Sequence, residues 1–196
     1  MLAVLMIIGG VLLRLTPHIP NFAPIAATAL FGGTYLSKRF ALVVPLIAMA
    51  ISDYLLLYIH PFQSPYVDFS HVYPITALFY PSTFAVWGSF ILVACIGMWL
   101  KNHKNVKNII FGSLMSSVLF FLITNFGFWL TNDMYPKTFN GQIEAYIMAL
   151  PFFRWTVMGD LFYTGVFFGA YELAIRTAYR LKTQSALSFN SEKEEN

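Results

Sequence analysis

The sequence predicts an all-α integral membrane protein of six transmembrane helices with both termini in the cytoplasm. Three observations carry that expectation. Hydrophobic residues are 58% of the 196 and charged residues only 11%, with a mean hydropathy of +0.64, whereas a soluble domain carries roughly 25% charged residues. The apolar residues fall in long blocks rather than periodic stripes. Lysines and arginines gather on alternate connections, the pattern by which cytoplasmic loops are recognised.

A bilayer core of ~30 Å needs about 20 apolar helical residues. Six blocks qualify, at residues 2–16, 22–37, 40–59, 82–101, 107–131 and 153–178. The first two are short. The first block lacks a basic leader and a small-residue cleavage site, so it reads as a retained helix rather than a signal peptide. The second opens on Asn21 as a helix cap with Pro24 in the first turn. Prolines at 61, 65, 74 and 81 break the chain before the fourth block, and Pro136 with Asn132, Asp133 and Gly141 breaks it before the sixth. GQIEAYIMAL, 141–150, fits a short interfacial helix. Residues 1–182 form one domain, and 183–196 read as a polar, disordered cytoplasmic tail.

Nine of the twelve Lys and Arg lie on the side that holds the termini, and Arg14, Lys137 and Arg154 lie on the other. The loops after spans one, three and five therefore face outward. The small net charge of +3, without a basic patch interleaved with aromatics, argues against nucleic acid. Cys95, the single cysteine, reads as a small buried hydrophobe.

Polar groups inside spans are costly and so mark function. Asp53 and Asn125 lie six residues from the outer ends of spans three and five, and Asp160 lies seven residues into span six. At 1.5 Å per residue all three sit roughly 9–10 Å down. Arg14, His18, Asn21 and Arg154 lie at the rim above them. Trp129, Asn132 and Tyr135 add aromatic and amide groups at the outer end of span five. These ten residues outline an outward cavity for a small molecule. The aromatics favour a planar heterocycle, and the carboxylates favour a cationic or donor-rich one. Against this stands a purely structural use, in which Arg14 or Arg154 neutralises Asp53 or Asp160 and the aromatics form an interfacial belt.

His18, His60 and His71 share the outer side with Asp68, but their spacing matches no metal motif, and no cofactor is implied. Enzyme templates are missing: there is no HExxH, GxSxG or Walker loop, and Ser52 and Asp53, as neighbours, point to different helix faces. No catalytic residue is assigned. GVFFG at 165–169 and Ala29–Gly33 are close-packing signals. Glu172 and Arg176 form an i,i+4 pair.

RLTPHIPNFAPIAATALFGG, SDY, and TNFGFWL followed by GDL resemble a family of uncharacterised bacterial putative transport proteins. That family is related to the substrate-binding S components of energy-coupling factor (ECF) transporters. The likeness covers roughly residues 10–172. It implies an S-component-like bundle in the inner membrane that captures a vitamin-like micronutrient. It also implies partnership with a transmembrane coupling protein and ATPases, and loops 14–21, 60–81 and 132–152 at the ligand. One departure is clear: Ala3 is followed four residues later by Ile7, so the AxxxA docking motif of the first span is missing. Docking then falls to Ala26, Ala29 and Gly33, or the protein works without the shared module. A self-sufficient transporter or channel and a structural or assembly protein are the alternatives.

Overall fold

The structure, a computed structural model, describes residues 1–64 and 66–194, with side chains as far as Gln184. The protein is all-α, with six helices: α1 Leu2–Leu15, α2 Ile25–Tyr35, α3 Lys38–Leu55, α4 Thr83–Leu100, α5 Val106–Thr131 and α6 Phe139–Glu194. A 3₁₀ turn at Ile75–Leu78 and a single β-bridge between Ile59 and Val67 complete the described residues.

Helix α2 is the axis of the fold. The other five close a ring around it, each touching the next in the order α1, α3, α4, α5, α6 and back to α1, and α2 contacts all of them. The sequence explains the placement. IAATALFGGTY has no polar face, and a helix apolar on all sides is buried. Every residue from Ala26 to Thr34 is buried. Its small side chains let five neighbours approach. The tightest approach is to α4: a Cβ added at Gly33 would lie 2.2 Å from the Ala94 carbonyl oxygen, and one added at Gly97 would lie 2.2 Å from that of Leu30. Thr34 Oγ1 closes the crossing by donating to Gly97 O at 3.1 Å. Phe31, fully buried, packs against Tyr35, Phe167, Phe168 and Tyr171.

Several expectations change here. Helices α4 and α5 are long and apolar enough to cross a membrane. Helix α2, with 11 residues, spans only about 16 Å, and α1, with 14, about 21 Å. Asn21 does not cap α2. The helix starts at Ile25 behind Pro24, and Thr28 Oγ1 donates to Pro24 O at 2.6 Å. Asn21 instead has φ 64°, and Phe22 N donates to Ile19 O at 2.9 Å. Proline at the second position and a positive-φ Asn at the third are the signature of a type II turn. Ile19-Pro20-Asn21-Phe22 meets it.

The expected interfacial helix at 141–150 and the sixth span are one helix that runs through Pro151. Proline removes one backbone hydrogen bond, but Leu150 and Phe152 extend helix that is already nucleated on both sides, so continuing is cheaper than stopping. The same cooperativity, with good helix formers such as Ala, Lys and Gln, carries the backbone helically to Glu194, where composition predicted a disordered tail; 195 and 196 lie outside the described residues. Glu172 pairs with Lys104 at 2.6 Å rather than with Arg176, and it accepts from Tyr35 Oη at 2.8 Å. Cys95 is exposed. Lys101 Nζ donates to Leu36 O at 3.1 Å. The basic connections 36–38 and 101–105 thus share one end of the ring, and loops 16–24 and 60–63 gather at the other.

Candidate functional site

The Arg14 end of the ring holds two adjoining cavities. The first, about 410 Å³, opens under the 14–23 loop and is lined by Arg14, His18, Asn21, His60, Phe90 and Asp160 among others. The second, about 530 Å³, lies between α5 and the start of α6 and is lined by Asn21, Asn125, Tyr135, Met148 and Phe153 among others. Asn21, Phe120 and Thr156 line both. Together they form the partition.

Local chemistry fixes the walls. The type II turn holds Asn21 over the partition. His18 Nδ1 lies 2.7 Å from Thr16 O, and its ring meets Phe62 edge-on at 5.2 Å. The His60–Gln63 wall is shaped by the Ile59–Val67 bridge: His60 N donates to Tyr66 O at 2.7 Å, and Asp68 N donates to Tyr58 O at 2.8 Å. Gly159 sets the height of Asp160, because a Cβ there would lie 3.0 Å from Phe22 Cα. Only the missing side chain lets α6 sit directly against the loop.

The ten predicted residues do not share one chamber. Arg14, His18, Asn21 and Asp160 line the first cavity, and Asn21, Asn125 and Tyr135 line the second. Asp53 lies behind Arg14 as its counter-ion. Arg14 Nη1 donates to Asp53 Oδ1 at 2.6 Å and to Ser52 Oγ at 2.5 Å, and the two charged side chains are only 17% and 12% exposed. Ser52 and Asp53, expected on different faces, are thus both reached by one guanidinium. The remaining Asp53 oxygen is buried and has no hydrogen-bond partner among the described residues.

Trp129, Asn132 and Arg154 line neither cavity. Trp129 Nε1 donates to Pro136 O at 2.9 Å, and Lys137 Nζ donates to the carbonyls of Trp129 and Asn132. Asn132 Oδ1 accepts from Met134 N at 2.9 Å. These bonds tie the 132–138 turn to the end of α5. Arg154, exposed, lies over the Trp155 ring at 5.1 Å.

Asp160 is a different kind of carboxylate. It is 3% exposed, lines the first cavity, and accepts from Ser117 Oγ at 2.6 Å. No cation lies within ion-pair distance of it among the described residues. One turn deeper Thr164 Oγ1 donates to Ser113 Oγ at 3.2 Å, so a buried polar seam joins α5 to α6. His71 Nδ1 meets Ser70 Oγ at 2.8 Å, and no group of three His, Cys, Asp or Glu able to hold a metal occurs among the described residues.

A family model described as a family of unknown function (DUF6580) matches residues 1–185. The chain belongs to the DUF6580 family. Comparison with curated proteins found no match, and comparison with solved structures found none. The site of this DUF6580 protein therefore has to be read from its own residues.

Thr156 and Ser117 are not among the predicted residues, whereas the loops 60–81 and 132–152 that the resemblance implies at the ligand do contribute to the cavity walls. Thr156 stands one turn before Asp160, and Ser117 faces it from α5. The i,i+4 repeats Thr156/Asp160/Thr164 and Ser113/Ser117 each mark one helix face and were readable. His60, Phe62 and Gln63 come from a loop whose fold no local spacing reveals. Ala145, Met148 and Ala149, within the 132–152 segment, wall the second cavity from the start of α6.

Proposed function

We propose that this chain is a membrane-embedded substrate-binding subunit for uptake of a small, vitamin-like micronutrient. The observation that supports the reading most is the pair of cavities, of a size that suits a small organic ligand, at one end of a ring whose outer surface is apolar. Leu12, Phe40, Ile47, Phe111 and Phe162 are each at least half exposed. Less than half of the most apolar stretch of α4 and of α5 is buried within the protein, less than a core helix of a soluble domain buries. A bilayer accounts for that surface, with all six helices embedded in the inner membrane and α2 shielded within. The charge asymmetry of the loops turns both cavities outward and both termini to the cytoplasm. The resemblance to S components of ECF transporters supports the same orientation and a separate coupling protein with ATPases.

A second reading rests on a specific observation. Ala26 and Ala29, the residues expected to replace the missing docking motif, are 4% and 1% exposed, and Gly33 is locked against α4. They offer a partner no surface. This favours a self-sufficient transporter. Native mass spectrometry of the purified protein tests the binding role: a co-purified small molecule is expected, and it should be lost from Asn125→Ala and Asp160→Ala variants that remain folded. A preparation that carries no ligand and binds none overturns the proposal. Solute uptake by proteoliposomes holding this chain alone, without ATP, would select the second reading.

A further inference from the structure

We infer that the first cavity selects a planar nitrogen base that carries a positive charge, with Asp160 as its counter-ion; the inference rests on the binding role proposed above. The argument is one of charge. The cavity brings two formal charges to its wall, Arg14 and Asp160. Arg14 is already neutralised by Asp53 at 2.6 Å. Asp160 has only the Ser117 hydroxyl, and a hydroxyl donates a hydrogen bond without supplying charge. The pocket and its first supporting layer therefore carry one carboxyl group without a protein cation among the described residues, in a residue 3% exposed. Burying a carboxylate without a cation is strongly unfavourable unless it holds a proton, and a ligand cation supplies the partner that favours its charged form.

Shape narrows the class. Phe62, Phe90 and Phe120 line the same cavity, and the Phe90 and Phe120 rings meet at 5.2 Å, tilted by 47°. Aromatic walls suit a flat ring and also attract a cation over their faces. Asp160 Oδ2 is engaged by Ser117, so Oδ1 and the spare lone pair of Oδ2 are available to adjacent N–H groups. An amidine-like edge, two N–H donors on one conjugated plane, meets both.

Three flat compounds of one shape and different charge test this: benzamidine, benzamide and benzoate. Binding to the full chain in lipid nanodiscs is measured by calorimetry and by thermal shift. Benzamidine is expected to bind about ten-fold or more tighter than benzamide, the scale of a charge-assisted hydrogen bond, and benzoate weakest. Asp160→Asn, close in size, should abolish that ranking. Asp160→Glu, which keeps the charge and moves it, should keep the ranking with weaker binding. Benzoate or benzamide binding as well as benzamidine overturns the inference on wild-type protein alone, whatever the variants do. If none of the three binds while a neutral or anionic molecule co-purifies, the charge class fails and the binding role stands. If none binds and nothing co-purifies, both fail.

Discussion

Asp53, partly buried, and Asp160, buried, are carboxylates at one end of the helix ring with opposite surroundings. Asp53 has a guanidinium at 2.6 Å and lies behind the cavity wall. Asp160 has a serine hydroxyl at 2.6 Å and forms part of the wall. The difference separates charge used to hold the fold from charge left for a ligand. A paired charge is expensive to disturb from either side, because removing one partner strands the other. An unpaired charge facing a cavity is a liability to the empty protein, and its removal should be tolerated.

The largest effect should follow from Arg14→Met. It leaves Asp53 buried beside Ser52 with no cation, and breaking such a pair costs about 3–5 kcal/mol when fully buried. Residual exposure of both side chains places the expected loss near the lower figure. Thermal unfolding in detergent measures it, and adding Asp53→Asn to the same chain should recover most of it. A double variant no more stable than Arg14→Met would show that the pair is not what Arg14 stabilises.

Next comes Gly97→Ala. Its Cβ would meet the Leu30 carbonyl at 2.2 Å, a backbone atom that cannot swing away, so α2 and α4 must part. Overpacking of this kind costs about 1–3 kcal/mol. Because α2 touches all five ring helices, the loss should show as a lower unfolding midpoint for the whole protein and not as local fraying. Gly159→Ala sits at a milder 3.0 Å from Phe22 Cα, and about 1 kcal/mol is expected. Its distinguishing sign is functional: the loop lifts from Asp160, so ligand affinity should fall more than stability. Equal falls in both would assign Gly159 to packing alone.

Asp160→Asn sharpens the comparison from the other side. Removing a charge that no protein cation balances should change the unfolding midpoint of ligand-free protein little, within about 1 kcal/mol in either direction. A loss as large as that of Arg14→Met would mean that Asp160, like Asp53, is a structural charge.

Much of this site was legible in the sequence, and the part that was not has a physical cause. Residue spacing along a helix gives depth, which is why Asp53, Asn125 and Asp160 could be assigned to one end of the molecule before any packing was known. Spacing says nothing about which way each helix is rotated, and rotation decided that Asp53 turns to Arg14 and that Asn125 opens into a separate cavity. Composition identifies an apolar α2. Its burial on every side comes from the ring around it, which composition alone does not reveal. Trp129 and Asn132 stood in the right motif and proved to be fastened to their own turn, because Pro136 and Lys137 bring the chain back onto them. Asn21 reads as a helix cap by residue type, yet Pro20 before it favours the turn that forms.

A third carboxylate sets the lower end of the scale. Asp68 lies exposed in the 60–81 loop and accepts from Ser70 N at 2.8 Å. The hydrogen bonds from Ser70 hold its pKa below the ordinary carboxylate value, and the charges of His71 and His60 act in the same direction. A carboxyl whose folded pKa is depressed contributes stability at pH values above its unfolded pKa and loses it as the pH falls through the folded one. Asp68 should therefore contribute its small share at neutral pH and lose it only in acid, below about pH 4. Asp68→Asn is expected to give the smallest shift of the series in unfolding midpoint at pH 7 and none once the pH is below the folded pKa. Full exposure limits it: water screens the charge and replaces the hydrogen bond. A shift at pH 7 comparable to that of Arg14→Met would break the ordering, since an exposed carboxylate would then rival one that is buried and paired.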